Sequence, residues 1–298
     1  MLSLLIAMSF RLSIILGVIV LAGCKVPGPT PVSTAQFSSD PTSVGIAPGQ
    51  IDEASGMVDS RSQPGNLWVE QDGGSPAELA LLGYDGKLKG KIAIPNAQNI
   101  DWEDMSSGPG PQATVNYLYI GDIGDNNGEY GSRTVYRFPE PANLTTPVKQ
   151  VERINYRYPD GPRDAEALLV DPETRDIYIV SKRETRVRLY RLKYPQNINE
   201  VSVAEALGEL PVSVVTGAAI STDGTEILLR TYTNIYYYKR KDGQSLPDAL
   251  QLQEGRALPY RLEPQGEAVC FDRDAKGYYS LSERFNTSAV SLYYYGKK

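Results

Sequence analysis

The sequence predicts an all-β fold, a five-bladed β-propeller closed by an N-terminal strand. The first observation is an internal echo. Asp52-Glu53-Ala54-Ser55-Gly56, Asp101-Trp102-Glu103-Asp104-Met105, Asp164-Ala165-Glu166-Ala167-Leu168, Thr216-Gly217-Ala218-Ala219-Ile220 and Gln265-Gly266-Glu267-Ala268-Val269 resemble one another. Aligned on Glu53, Glu103, Glu166, Ala218 and Glu267, they lie 50, 63, 52 and 49 residues apart. A period near fifty marks repeated supersecondary units of propeller type. The second observation is that each echo leads into a polar turn and then short runs of β-branched and aromatic residues. The third is closure. Only 31 residues come after Glu267, enough for three strands, so a fourth must come from the N-terminal stretch near Ala35 to Ile46. Closing the ring in this way removes exposed sheet edges. The alternative is six blades, should one long insertion hide a degenerate one.

At the N-terminus, Arg11 precedes an apolar run, Leu12 to Leu21, that ends in Leu21-Ala22-Gly23-Cys24. A basic residue, a short apolar stretch and small residues describe a secretory leader over residues 1–23, too short to span a bilayer. Met8 offers an alternative start. Residues 24–50 carry Pro27, Pro29, Pro31, Pro41 and Pro48 among Ser, Thr and Gly, and such a composition reads as a tether ending in the closing strand. Residues 51–298 form a single propeller domain. Its second strands are Leu67-Trp68-Val69, Tyr117-Leu118-Tyr119-Ile120, Ile177-Tyr178-Ile179-Val180, Ile227-Leu228-Leu229 and Tyr278-Tyr279-Ser280-Leu281. Third strands include Val135-Tyr136-Arg137-Phe138 and Ile235-Tyr236-Tyr237-Tyr238. The excess of Tyr (20) over Phe (5) suits half-buried sheet faces, where the ring packs and the hydroxyl stays wet.

Composition excludes several functions. The formal net charge is −6, one unit more negative once Arg11 leaves with the leader. This disfavours nucleic acid and any electrostatic grip on anionic lipid. The chain has no His, so Ser-His-Asp and Cys-His nucleophile systems and His-bearing zinc sites are ruled out. Cys270, in Ala268-Val269-Cys270-Phe271, reads as an inert core thiol.

The echo suggests a site. If the repeats superpose, Glu53, Glu103, Glu166 and Glu267 converge on one axis, with Ala218 breaking the set. The second strands end near Asp72, Asp122, Lys182, Arg230 and Glu283. Crowded carboxylates need compensation from cationic side chains such as Arg163, Lys182, Arg183, Arg230 and Arg284, from backbone N–H groups, or from a bound cation. One role for such acids is to accept backbone hydrogen bonds from the next blade. The other is to line a polar pocket at the channel mouth. The loop Gly121-Asp122-Ile123-Gly124-Asp125-Asn126-Asn127-Gly128 crowds oxygen-bearing side chains onto a glycine-flexed segment. Its Asp122, Asp125 and Asn126, with Asp101, Glu103 and Asp104 in the same repeat to add oxygens, would suit Ca2+, though ordinary turn chemistry uses the same residues.

The leader motif resembles the bacterial lipobox, which implies cleavage before Cys24, acylation of its sulfur and an anchor in the envelope bilayer. Lys25 after the cysteine favours the outer membrane. The body resembles a group of secreted bacterial propellers through Asp101-Trp102-Glu103-Asp104, Tyr119-Ile120-Gly121-Asp122-Ile123-Gly124-Asp125-Asn126, Asp164-Ala165-Glu166-Ala167-Leu168 and Leu229-Arg230-Thr231-Tyr232-Thr233. More distantly, its Glu-Ala and Glu-Gly elements are similar to the SdiA-regulated and esterase-like phytase propellers. The wider set includes gluconolactonases, which hold a divalent metal in the channel. These resemblances imply the fold and leave the activity open. Three functions are expected: a lipid-anchored binder of a small polar ligand or divalent cation, a metal-assisted hydrolase of a phosphate ester or lactone with Ca2+ held by Asp122, Asp125 and Glu103, or an envelope scaffold that engages other proteins.

Overall fold

The computed structural model describes residues 36–287 and 289–298, so the leader, Cys24 and the tether up to residue 35 lie outside the described residues. The five repeats form five small antiparallel sheets. Strand β1 (Thr42–Ile46) comes first. Blade 1 has β2 (Ala54–Asp59), β3 (Asn66–Gln71), β4 (Glu78–Gly83) and β5 (Leu88–Ala93). Blade 2 has β6 (Trp102–Pro109), β7 (Asn116–Asp122), β8 (Arg133–Pro139) and β9 (Glu152–Arg157). Blade 3 has β10 (Ala165–Val170), β11 (Ile177–Ser181) and β12 (Arg188–Leu192). Then β13 (Ser202–Val203) crosses to pair in parallel with β9, and β14 (Glu205–Glu209) completes blade 3. Blade 4 has β15 (Val215–Ile220), β16 (Glu226–Thr231), β17 (Ile235–Lys239), the short helix α1 (Leu246–Gln251) and β18 (Arg256–Ala257). Blade 5 has β19 (Gln265–Phe271), β20 (Gly277–Glu283) and β21 (Val290–Gly296).

The ring closes as expected. β1 pairs antiparallel with β21, Thr42 opposite Tyr294 and Ile46 opposite Val290. Attachment begins earlier still: Phe37 bridges Lys297, and Ser38 N–H donates to the Gly296 carbonyl at 2.8 Å. The described part of the expected tether, from Gln36, therefore belongs to the propeller. The described residues form five sheets and no sixth, and the longest repeat, from Glu103 to Glu166, gains its extra length between the strands of blade 2, so five blades is the count.

Strand alternation explains the packing. Successive residues of a strand point to opposite faces, so each blade serves two interfaces. Trp68 packs with Leu118, Ile120 and Tyr136 between blades 1 and 2, while its neighbours Leu67 and Val69 pack with Tyr279, Leu281 and Leu292 between blades 5 and 1. The five apolar clusters are the five inter-blade interfaces. Cys270 is buried in one of them, where burial pushes its thiol well above the usual range. This agrees with an inert residue.

The innermost strands β2, β6, β10, β15 and β19 neighbour one another around the ring. Each carries a β-bulge near its start, between Ala54 and Met57, Trp102 and Asp104, Ala165 and Ala167, Val215 and Gly217, and Gly266 and Ala268. Bulges re-aim side chains and interrupt pairing. Here they set the site.

Candidate functional site

The bulges give the true superposition. The residues in the bulge are Ser55, Glu103, Glu166, Thr216 and Glu267. This corrects the expected alignment at two blades. Ser55, two residues after Glu53, and Thr216, two before Ala218, are the equivalents of the three glutamates. Their hydroxyls stitch neighbouring blades: Ser55 Oγ donates to the Glu103 carbonyl (2.8 Å), and Thr216 Oγ1 to the Gly266 carbonyl (3.0 Å). Glu53 instead matches Asp101, because the Asp72, Ile123 and Lys182 N–H groups donate to the carbonyls of Glu53, Asp101 and Asp164 respectively. It is exposed.

Three rows of equivalent positions meet at one mouth of the channel. The bulge row contributes Glu103, Glu166 and Glu267. The row two residues before it contributes Val214 and Gln265. The row just past the end of each second-strand ladder contributes Asp72, Lys182 and Tyr232. With Asn126 and Arg183, these residues line a cavity of about 480 Å3, within the range of about 300–1,000 Å3 usual for small-ligand sites. Glu283, the last-row equivalent in blade 5, is buried and lies close enough to Glu267 and Asp72 to be raised by both.

Charge compensation is partial. Lys182 Nζ donates to Glu166 Oε1 at 2.5 Å and sits 5.3 Å from the Tyr232 ring centroid. Arg183 Nε donates to Asp164 Oδ2 at 2.5 Å, and Asp164 Oδ1 accepts from Asp125 N–H at 2.9 Å. Glu267 accepts from Tyr232 Oη (3.2 Å), Ser55 Oγ (3.4 Å) and Gln265 Nε2 (3.4 Å). The Glu103 carboxyl is 4% exposed. Burial raises it well above the ordinary carboxylate range, and Glu166, Asp72, Asp101 and Glu267 push it further the same way. Burial likewise lifts Asp72 to about 6, Glu166 to about 8 against the opposing pull of Lys182, and Glu283 to about 9. Glu166 Oε2 is buried without a hydrogen-bond partner.

Two carboxylate groups have oxygens within 4.8 Å of one another, Asp72–Asp101–Glu103 and Glu103–Asp164–Glu166, and Glu103 belongs to both. Of the calcium set expected from the sequence, Asp101 and Glu103 belong to these groups, while Asp122, Asp125, Asn126 and Asp104 are engaged elsewhere among the described residues. Asp122 is neutralised by Arg133 (2.8 Å) and also accepts from Asp101 N–H. Asp125 closes its own loop, accepting from the N–H groups of Glu129 (2.7 Å) and Tyr130 (3.0 Å). Asn126 Oδ1 accepts from Arg183. Asp104 is spent on three backbone N–H groups: Met105 (2.8 Å), Leu168 (2.8 Å) and Ala218 (3.1 Å). Backbone gluing, expected of the glutamates, is what their neighbour Asp104 does.

Arg230 also lies elsewhere. It is fully buried between blades 4 and 5, bonded to Glu263, Tyr260 and the carbonyls of Ala268 and Leu281. The position in blade 4 that does reach the cavity is Tyr232, two residues on. Arg230, two residues earlier, is still inside the ladder, opposite Gly217. The signal for Tyr232 is its spacing from Thr216, which matches that of Lys182 from Glu166. At the opposite mouth, Arg61 ties blade 1 to Arg273 O and Thr222 Oγ1, and the internal space beneath the waist is only about 20 Å3.

The fold and site define a five-bladed propeller with an acidic, one-ended cavity. No protein-family model matches the chain, and no curated protein matches it significantly. In shape it is similar to an auxiliary nutrient binding protein from Bacteroides thetaiotaomicron, with TM-score 0.50 and 9% identity over 87% of this chain and 73% of that one. It is also similar to a luciferin-regenerating enzyme, with TM-score 0.49 and 9% identity over 86% and 95%. At such identities the likeness extends to the fold.

Proposed function

We propose that this protein is a binding protein whose channel-mouth cavity takes a cationic centre, either a divalent cation or the ammonium of a small polar ligand. The observation that carries this reading is Glu103. It is a buried carboxyl whose oxygens lie within 4.8 Å of those of Asp72 and Asp101 in one group and of Asp164 and Glu166 in another, and burial together with its acidic neighbours raises its proton affinity. A cation replaces the proton there and relieves the repulsion. Hard cations such as Ca2+ favour oxygen donors, and Asp72, Asp101, Glu103, Asp164 and Glu166 supply them. A nutrient-binding protein among the similar folds agrees with a binding role. The proposal includes attachment to the envelope membrane, outer rather than inner, through acylated Cys24, on the strength of the Leu21-Ala22-Gly23-Cys24 motif and Lys25.

The test uses the leaderless Cys24→Ser protein, stripped with chelator at pH 8. Ca2+, Mg2+, Mn2+ and small primary amines are added and melting is monitored. A ligand of the folded form at a hundredfold its Kd stabilises by about 2.7 kcal/mol, and Glu103→Gln abolishes the response. Unchanged melting with every cation and amine would remove the reading.

A further inference from the structure

The central cavity does not stop at the channel mouth. A second hollow of about 380 Å3 adjoins it, and Val214 and Tyr232 line both. The two hollows differ in chemistry. The first holds four carboxylates and two cations. The second is walled by Thr185, Ser213, Thr233, Asn234 and Tyr236 among others, with no charged side chain in its lining. Val214, their shared wall, is 42% exposed and has φ of +55°. That conformation is rare for a β-branched residue and is costly unless the surroundings impose it.

A bare metal ion has no use for an uncharged annex, whereas a ligand with a charged head and a neutral body does. The head chemistry is already sampled by the chain itself. The ammonium of Lys182 lies against Glu166 Oε1 and over the Tyr232 ring, the combination that binds ammonium groups elsewhere. Glu166 Oε2, buried and unpartnered on a residue only 2% exposed, remains free to accept from a second donor. The body chemistry comes from the annex. Hydroxyls and an amide beside tyrosine rings match a ring-shaped polyol, which is apolar on its faces and polar at its edges. An extended peptide is disfavoured because β16 and β17, which border the hollow, are each paired on both sides. No free strand edge is on offer for main-chain pairing.

We propose that the ligand is an amino-sugar oligosaccharide, its ammonium held among Glu103, Glu166 and Glu267 and its next sugar lying across Tyr232 and Val214 into the annex bordered by Thr185 and Ser213. This rests on the cation-binding reading of the cavity and adds the ligand's class and direction.

Calorimetry on the leaderless Cys24→Ser protein at pH 7.5 tests it with glucosamine, its di- and trisaccharide, the N-acetylated trisaccharide, and a lysine-containing tripeptide. The trisaccharide should bind about tenfold or more tighter than glucosamine, and N-acetylation should remove binding. Ser213→Trp, at an exposed position, should return the trisaccharide to the affinity of glucosamine and leave glucosamine unchanged. Thr185→Trp, also exposed, provides the second variant should the first fail to fold. Equal affinity for one and three sugars, retained binding of the N-acetylated form, or tighter binding of the tripeptide overturns this inference while the cavity reading stands. If neither glucosamine nor any metal ion binds, the cavity reading falls with it.

Discussion

A single missing methyl group makes room for the acidic site. A Cβ at Gly124 would collide with Glu103 Oε1 and come within 2.6 Å of Asp101 Oδ2. Side chains do not tolerate such distances, and close packing transmits the displacement. Gly124→Ala should therefore push both carboxyls from their places. The expected outcome is loss of the calorimetric signal for cations and amines, with a stability cost of about 1–3 kcal/mol from overpacking measured by urea unfolding. Unchanged binding by a folded Gly124→Ala protein would show that Glu103 and Asp101 are not where the cation sits. The sequence makes the Gly121 to Gly128 loop conspicuous, but for its Asp and Asn oxygens. Those oxygens are consumed by Arg133, Arg183 and the loop's own backbone. Besides Asn126 in the cavity wall, the loop supplies, at Gly124, a surface without a side chain. Composition shows a glycine but cannot show what presses against it.

At the scale of the element, the bulged innermost strand sets the design. It turns one residue per blade toward the channel: Glu in blades 2, 3 and 5, Ser or Thr in blades 1 and 4. The position after the bulge is Gly56, Asp104, Ala167, Gly217 and Ala268 in turn. Small residues there let the strands approach. A Cβ on Gly56 would stand 2.5 Å from Met105 N and 2.8 Å from Asp104 Cα. The one larger residue, Asp104, fills the waist and binds backbone N–H groups of blades 3 and 4 as well as its own neighbour. Asp104→Ala leaves three buried donors unsatisfied, each costing about 1–3 kcal/mol. Urea unfolding should show a loss of about 3 kcal/mol or more, partly recovered in Asp104→Asn, which keeps one acceptor oxygen. A loss below about 1 kcal/mol would mean that water or relaxation replaces these bonds.

The whole molecule concentrates titratable groups whose proton affinity burial raises. Glu166 (about 8), Glu283 (about 9), and with them Glu103 and Glu70, all lie above the ordinary carboxyl value, which in the unfolded chain is about 4.3. Between roughly pH 5 and pH 9 the folded form therefore binds more protons than the unfolded form, and stability falls as pH rises. Asp52 and Asp160, lowered by Arg284 and Arg163 against the opposing effect of burial, act the other way, and their contribution is lost only as pH drops below about 4. Metal-free protein should melt highest near pH 5 and several degrees lower at pH 9, and a bound cation should flatten the fall. A melting temperature that rises steadily from pH 5 to pH 9 without added cation would refute the cluster's buried character.

Residue order alone was enough for the five-fold repeat, the N-terminal closing strand and the convergence of Glu103, Glu166 and Glu267. Period, strand alternation and chain length are local or additive properties, and they survive without coordinates. The register came only from the folded ring. The bulge in each innermost strand marks which residues are equivalent, Ser55 rather than Glu53 and Thr216 rather than Ala218, and counting from Thr216 puts Tyr232 rather than Arg230 at the cavity. A bulge depends on how neighbouring strands pair and leaves no mark of its own in the order of residues.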